Sequence, residues 1–193
     1  MQALGAGQAR ADDPEVALVR RAKDGDAQAF ADLYECHLNQ VFRYFYYRLG
    51  HREDAEDLTE QTFLKAWQAI GGYDYRGAPF AAWIFRIAHN LLVDHRRRRS
   101  PTEELDEELE VADLAAGPEE VTAQRLEAQE LGRALRQLSE VEQSVVALRF
   151  IHGLEHRMVA RMVGKSEVAT RSIQSRALSR LGRILSAAGG KTQ

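Results

Sequence analysis

The segment from Phe80 to Arg99 constrains the fold more than any other part of this chain, because its apolar residues repeat with helical spacing and run into four arginines. At 100° per residue one side of such a helix is apolar: Phe80, Trp83, Ile84, Ile87, Ala88, Leu91 and Leu92. The other side carries Arg86, His89, Asn90 and Arg97. The first face is predicted to pack in a core and the second to contact a partner. Opened nucleic acid is the favoured partner, because guanidinium groups hold phosphates and aromatic rings stack on unpaired bases.

Charge is distributed unevenly along the 193 residues, although the net charge is only -3. Residues 84–99 carry 5 basic and 1 acidic side chains, residues 100–132 carry 1 and 11, and residues 133–185 carry 10 and 4. Two basic stretches therefore flank an acidic one. Residues 100–120 also contain two prolines and few large apolar side chains, which is typical of a flexible linker. This predicts two small domains, residues 1–99 and 121–193, joined by an acidic linker at 100–120.

Helical spacing extends through both predicted domains, and no segment alternates apolar and polar residues with the period of a strand. The fold class is therefore expected to be all-α, with an N-terminal helical bundle and a C-terminal helix-turn-helix bundle. In the first domain, Pro14 opens a helix to about Lys23, a long helix ends near Gly50, a third is stopped by Gly71 and Gly72, and Pro79 starts the fourth. In the second domain the expected helices span residues 121–137, 140 to about 152 after a Ser139 cap, 154–162, and 167 to about 185.

The end of the chain, residues 154–185, has the pattern of a helix-turn-helix motif. On its last helix, a stripe is expected to pack: Ala169, Ile173, Ala177, Leu181 and Ile184. Arg171, Ser172 and Ser175 lie on the opposite side, where they are suited to base edges in a major groove, while Lys165 and Arg176 are placed to neutralise phosphates. The motif predicts a second DNA-binding element.

Several classes of protein are disfavoured. Cys36 is the single cysteine, so neither an internal disulfide framework nor a Cys-based zinc site is expected. His51 with its acidic neighbours and the pair His152 and His156 lack the spacing of known metal motifs, so no metal or other cofactor is predicted. No catalytic motif or site for a small-molecule substrate is recognisable, which predicts a protein that is not an enzyme. No signal peptide or membrane-spanning run is recognisable in the sequence either. We therefore expect a protein that lies in the cytoplasm and is not inserted in a membrane.

Three motifs, in this order, resemble the extracytoplasmic-function sigma factors of bacterial RNA polymerase, which form group IV of the sigma-70 family. They are DAEDLTEQTFLKAW (54–67), YRGAPFAAWIFRIAHNLLVDHRRRR (75–99), and the pair LSEVEQSVVALRF and GKSEVATRSIQSRAL near the C-terminus. The resemblance implies docking to core RNA polymerase through the first motif, at Asp57, Glu60, Gln61, Phe63 and Leu64. It also implies an anti-sigma factor as a further partner.

The same resemblance implies that promoter DNA is recognised by both domains. The minus-10 element would be bound and opened by the second motif, with a flipped base held near the loop 73–79, at Tyr75, Arg76, Arg86, Asn90 and Arg97. The minus-35 element would be read by the C-terminal motif, at Lys165, Arg171, Ser172, Ser175 and Arg176.

The chain departs from the family pattern at three places. Glu60 and Gln61 stand in the reverse of the commoner order, Glu155 and His156 replace the usual start of the first reader helix, and Thr170 replaces an aliphatic residue. A missing helix cap costs about 1 kcal/mol, so the motif is expected to be somewhat weakened there.

Two other functions fit parts of the pattern. An operator-binding regulator would use the C-terminal motif alone and dimerise or sense a ligand through its N-terminal bundle. An interaction protein would reserve its basic faces for acidic partners. The segment 73–99 favours the sigma factor, because an operator-binding protein has no need of it.

Overall fold

The computed structural model describes residues 14–74, 79–98 and 130–189, and every regular element within these ranges is helical. The N-terminal unit contains α1 (Pro14–Lys23), α2 (Ala27–Leu49), α3 (Arg52–Ala69), a 3-10 turn (Ile70–Gly72) and α4 (Phe80–Arg98). The C-terminal unit contains α5 (130–136), α6 (Glu140–Val146), a π-helical turn (Ala147–Ile151), α7 (His156–Met162) and α8 (Glu167–Gly189). The all-α prediction is confirmed. The predicted linker, 100–120, lies outside the described residues.

Local sequence signals set most helix ends. The Asp26 carboxylate accepts the N–H groups of Gln28 and Ala29 and starts α2. Gly50 ends α2 in the left-handed conformation, with φ 75°, and its N–H donates to the Tyr46 carbonyl. Ser139 forms the predicted capping box with Glu142 at the start of α6. Helix α8 runs to Gly189 rather than to about Leu185, because the residues that follow Leu185 include no helix breaker before the glycines.

Helix α2 lies at the centre of the N-terminal unit and packs against α1, α3 and α4. Its buried face includes Leu33, Val41 and Phe45, each fully buried. The predicted apolar arc of α4 meets this face, with Phe80, Ile84, Ala88 and Leu92 fully buried, Leu91 nearly so, and Trp83 and Ile87 half-buried. Burial of each large side chain contributes about 1.5–3 kcal/mol, so the position of α4 is fixed by its apolar arc.

The C-terminal unit divides its apolar residues between two clusters. One lies within the unit and joins α5, α6 and α8 through Leu135, Leu138, Val146, Ala177 and Leu181. Other buried residues, Val145, Leu148, Leu154 and Val159 among them, belong to the same cluster as the core of the N-terminal unit. The two units therefore share a continuous apolar core. None of the helices in the described part of the chain is long and apolar enough to cross a membrane.

Gly50 and Gly182 provide a matched pair for testing these helix assignments. A Cβ at Gly50 would lie 3.1 Å from the Arg136 guanidinium carbon and would force a side chain into the left-handed region, so we expect Gly50→Ala to cost at least about 1–2 kcal/mol. Gly182 lies within α8 with no described atom within 4 Å of such a Cβ, so Gly182→Ala should gain about 0.5–1 kcal/mol. Urea unfolding measures both free energies. Equal stability of the two variants would contradict the assignment of Gly50 as the end of α2.

Candidate nucleic-acid and partner interfaces

The outer face of α4 carries three of the predicted minus-10 residues. Arg86, Asn90 and Arg97 are exposed, and their spacing of four and seven places them along one side of the helix. The Arg97 guanidinium lies 3.2 Å from the Asp94 carboxylate, yet most of its surface remains open to solvent. Tyr75 and Arg76 lie outside the described residues.

An aromatic cluster anchors both ends of the loop between α3 and α4. The Tyr73 ring lies 4.8 Å from that of Trp83, and the Phe80 and Trp83 rings are 5.5 Å apart between centroids. The Lys23 ammonium also donates to the Tyr73 carbonyl at 2.5 Å, which ties α1 to the start of the loop. Phe80 is fully buried and Trp83 half-buried, which confirms that both residues belong to the core.

His89 does not lie on the outer face of α4, and that prediction is wrong. Its side chain is 6 % exposed, and its Nδ1 lies 3.0 Å from the Tyr44 hydroxyl on α2. Burial, together with the positive charges of Arg48 and Arg96, lowers the pKa of His89 to about 4. Burial raises the pKa of Tyr44, so the hydroxyl stays protonated and is hydrogen-bonded to a neutral His89 ring. A partner on α2, which periodicity cannot reveal, draws this polar side chain inward.

The outer face of α3 carries four of the five residues expected to contact polymerase. Asp57, Glu60, Gln61 and Leu64 are exposed, and their spacing places them on one face of the helix. Leu64 is 57 % exposed. This face therefore offers an apolar side chain together with acidic and amide groups.

Phe63 is the exception on α3, because the structure places it in the core. It is 4 % exposed and its ring packs edge-on against Tyr34, with centroids 4.6 Å apart. Of the adjacent Phe63 and Leu64, which were both expected to contact polymerase, only Leu64 reaches the surface. Trp67, one turn further on, is 38 % exposed and extends the apolar part of this face, with its ring against Phe30.

Helices α7 and α8 form the predicted helix-turn-helix motif. Gly164 makes the turn with φ 64°, and the Ser166 hydroxyl accepts the Ala169 N–H to start α8. Thr170 is fully buried, and its hydroxyl donates to the Ser166 carbonyl at 2.9 Å, so the unusual polar residue in the motif is satisfied. Glu155 precedes α7 without a side-chain cap, as its departure from the family pattern suggested.

The outer side of α8 carries the residues predicted to read the minus-35 element. Its packed stripe is as expected, with Ala177 and Leu181 buried and three half-buried members, Ala169, Ile173 and Ile184. The predicted contacts are all exposed: Lys165, Arg171, Ser172, Ser175 and Arg176. Arg180, further along, lies 3.5 Å from the Glu142 carboxylate and is thereby held toward α6.

Sequence reasoning gave no role to a polar network between the units. Arg48 is 4 % exposed; its guanidinium donates to the Tyr44 hydroxyl on its own helix and to the Ser144 hydroxyl on α6, the latter at 2.7 Å. Arg96 on α4 donates to the Gln143 amide oxygen at 2.9 Å. The sequence indicates one part of this network. Tyr44 and Arg48 are four residues apart on the apolar side of α2, a spacing that brings two side chains on a helix into contact.

His152 lies beside this network. Its ring centroid is 3.8 Å from that of Phe85 on α4, and neither ring nitrogen has a hydrogen-bond partner among the described residues. Burial, reinforced by the charge of Arg48, lowers the pKa of His152 to about 3, so its ring is neutral near pH 7.

Comparison with known proteins agrees with this architecture. Residues 33–102 match the family Sigma-70 region 2, and residues 134–182 match Sigma-70, region 4. The ECF RNA polymerase sigma factor ShbA of Streptomyces griseus is 35% identical over 176 residues, which cover 86% of this chain and 92% of that protein. The ECF RNA polymerase sigma factor BldN of Streptomyces coelicolor is 40% identical over 170 residues, or 87% of this chain and 64% of BldN.

A solved structure gives the same result. That of CnrH in complex with the cytosolic domain of CnrY has a TM-score of 0.66 and 28% identity, and the match covers 91% of this chain and 99% of that chain. Helical units of region 2 and region 4, in this order, define the class as that of the sigma-70 factors. Because relatives such as ShbA are matched over nearly their whole length, this chain belongs to the extracytoplasmic-function RNA polymerase sigma factors.

The buried histidines predict how stability depends on pH. Above about pH 6.5 His89 is neutral in both the folded and the unfolded chain, but below it only the unfolded chain takes up a proton readily. The free energy of unfolding should therefore fall as the pH decreases from about 6.5 toward 4, and His152 adds to the same loss. His89→Gln, which offers Tyr44 an amide oxygen but does not titrate, should flatten this dependence in urea unfolding between pH 7.5 and 4.5. An unchanged slope would contradict the protonation state assigned to His89.

Proposed function

We propose that this chain is an alternative sigma factor that binds core RNA polymerase, recognises minus-35 and minus-10 promoter elements and promotes strand opening. The observation that carries the proposal is the presence of three exposed faces, on α3, α4 and α8, in the chain order of the family's docking, opening and reading segments. Residues 1–99 would serve the first two tasks and residues 121–193 the third, with 100–120 as the linker. Such a protein acts with polymerase in the cytoplasm and performs no catalysis itself.

Docking is assigned to the outer face of α3. Exposed Leu64 and Trp67 lie beside Asp57, Glu60 and Gln61 on this face, and a central apolar contact can be shielded from water by a polar rim. Phe63 would support this face from beneath by fixing α3 against α2 rather than by touching polymerase.

Strand opening is assigned to α4 and the loop that precedes it. Extruding one base costs a few kcal/mol, which stacking and hydrogen bonding in a protein pocket can offset. Asn90 provides an amide group for a base edge, and Arg86 and Arg97 on the same face are suited to the phosphates beside it. Tyr75 and Arg76 would complete the pocket.

Reading of the minus-35 element is assigned to α8. Arg171 is suited to the two acceptors of a guanine edge, and Ser172 and Ser175 are small enough to let the helix approach the groove closely. Lys165 and Arg176 would bind the backbone and set the position of the helix without contributing sequence information.

A protein inhibitor is the further partner we propose. The CnrH structure contains the cytosolic domain of CnrY. A counterpart for this chain would cover one or more of the three faces defined above.

In vitro transcription with purified core polymerase tests the proposal directly. Specific transcripts should begin at a promoter with both elements only when the chain is added. A chain that leaves polymerase output nonspecific, yet binds a duplex operator as a homodimer, would instead be an operator-binding regulator.

The Leu64→Asp substitution should separate docking from folding. Because Leu64 is 57 % exposed, the charge should leave the fold intact while desolvation of the carboxylate weakens polymerase binding at least tenfold. Ala17→Asp, on the exposed side of α1, is the matched control and should bind normally. Binding can be measured by fluorescence anisotropy of chain labelled at exposed Cys36. Equal affinities for the two variants would exclude the α3 face as the docking site.

Substitutions on α4 and α8 should affect different steps. Arg171→Ala should lower discrimination between correct and altered minus-35 sequences by about 1–3 kcal/mol, because a paired base contact is lost. Asn90→Ala should leave that discrimination unchanged and slow strand opening, which permanganate footprinting of unpaired thymines detects. If Asn90→Ala instead altered minus-35 choice, the assignment of the two helices would be wrong.

A further inference from the structure

The first turn of α8 carries a large apolar side chain on its outer side. Val168 is 76 % exposed, and it lies four and seven residues before Ser172 and Ser175, a spacing that places all three on one side of the helix. Arg171 lies one turn further along the same side. The residues predicted to read the minus-35 element include these three neighbours but not Val168, so sequence reasoning gave this valine no role.

Neither helix formation nor packing accounts for a valine at this position. A β-branched side chain loses rotamer freedom in a helix, so alanine and many polar residues favour an exposed helical position more. Helix α8 is also anchored without Val168, because Ser166 accepts the Ala169 N–H and Thr170 is fully buried on the inner side. Single exposed apolar residues are common on protein surfaces, so exposure alone indicates no function. The position of Val168 among the polar side chains of a reading face is what indicates one.

The polar side chains around Val168 leave its methyl groups uncovered. The Ser172 hydroxyl donates to the Val168 carbonyl at 3.1 Å, so its proton is used within the helix and only its lone pairs are free to accept. Gln174 is the one amide side chain in the sequence of α8, and it is hydrogen-bonded to His156 on α7, with 2.9 Å between Oε1 and Nε2. The start of the outer side therefore offers the Arg171 guanidinium, hydroxyl oxygens and the valine methyl groups.

Thymine has the base edge that suits a valine in this place. Its C5 methyl group is the apolar feature of the major groove, and apolar side chains recognise it by direct contact. Recognition helices touch base edges with their N-terminal residues, and Val168 is the second residue of α8. Removing one methyl group from water stabilises a complex by an amount that corresponds to about fourfold in affinity. A thymine should therefore be preferred at one position of the minus-35 element.

Helical geometry predicts where this thymine lies. Val168 and Arg171 are three residues apart, which is about 4.5 Å along the helix axis. Successive base pairs in B-form DNA are about 3.4 Å apart. Because Arg171 is assigned to a guanine edge, the thymine should lie within about two base pairs of that guanine.

We propose that Val168 is a specificity-determining residue of the minus-35 reader, and that its methyl groups contact the C5 methyl of a thymine close to the guanine bound by Arg171. The proposal rests on the part of the proposed function that assigns DNA reading to α8. It requires neither polymerase docking nor strand opening.

Removal of the methyl group from the DNA tests the contact directly. Selection from random duplex DNA by the full chain, alone and bound to core polymerase, defines the preferred sequence, and Arg171→Ala identifies the guanine whose recognition is lost. Each thymine is then replaced in turn by deoxyuridine, which lacks only the C5 methyl group. At one thymine within about two base pairs of that guanine, the replacement should weaken binding about fourfold. The same replacement should have little effect on Val168→Ala, because the contact is already absent.

Three comparisons separate loss of this contact from damage to the fold. Val168→Ala should bind the thymine probe about fourfold more weakly and the deoxyuridine probe almost as well as the unsubstituted chain does. Alanine favours the helix more than valine does, so unfolding of α8 would not explain the loss, and circular dichroism verifies this. Val168→Ile keeps a branched apolar side chain and should retain the methyl dependence. Val93→Ala removes another exposed valine, on α4, and is the matched control that should change neither affinity nor methyl dependence.

The possible outcomes distinguish this proposal from the proposed function. If deoxyuridine weakens binding of Val168→Ala as much as that of the unsubstituted chain at every thymine, the proposal is overturned. Selection of a sequence without a thymine near that guanine, or of no sequence at all, overturns it as well. If the methyl dependence is found but core polymerase yields no specific transcripts, the sigma-factor function fails and the role of Val168 stands. If specific transcripts begin but no thymine depends on Val168, the reverse holds.

Discussion

A single buried arginine connects the parts of this molecule that sequence treats as separate. Arg48 donates to the Tyr44 hydroxyl, which is also hydrogen-bonded to His89 on α4, and a second guanidinium nitrogen of Arg48 donates to the Ser144 hydroxyl on α6. The charge is removed from water and cannot be left without partners, so these helices must adopt one mutual arrangement. Burial of the surrounding aromatic and aliphatic side chains stabilises the contact. The arginine restricts the relative positions of the helices in which those side chains can pack.

The exposed faces follow from what each helix must bury. Helix α4 packs its apolar arc against α2, so Arg86, Asn90 and Arg97 lie on its outer side. Helix α3 buries Phe63 and thereby turns Leu64 outward, and the packed stripe of α8 directs Arg171 into solvent in the same way. On each helix the polar and cationic side chains lie along one side because the apolar side chains lie along the opposite side. Because the helices are already formed, a partner that binds these faces has to order their side chains but not their backbone.

The sequence predicted those features that depend on local chemistry or on one helix at a time. Pro14, Gly50 and Ser139 mark helix ends by their own backbone and capping preferences, and the structure agrees at each. The sequence did not predict the burial of His89, because that depends on Tyr44, which lies 45 residues away. The expectation that both Phe63 and Leu64 contact polymerase did not anticipate the burial of Phe63, because the edge of an apolar helix face is set by the neighbouring helix. The contact between the two units could not be predicted from the sequence for the same reason. The residues on each side of it fit the apolar pattern of their own helix, and nothing in that pattern indicates a partner in the other unit.

Two adjacent valines show how one short segment can serve both units. Val145 and Val146 both lie in α6 and differ by 100° around its axis, so their side chains leave the helix in different directions. Val145 packs in the cluster that contains the core of the N-terminal unit, and Val146 packs in the second cluster with Leu135 and Ala177. Leu148 lies three residues after Val145, which places it on nearly the same side of a helix, and it belongs to the first cluster as well. The segment therefore has two apolar sides, and each of them is buried only because a different neighbour covers it.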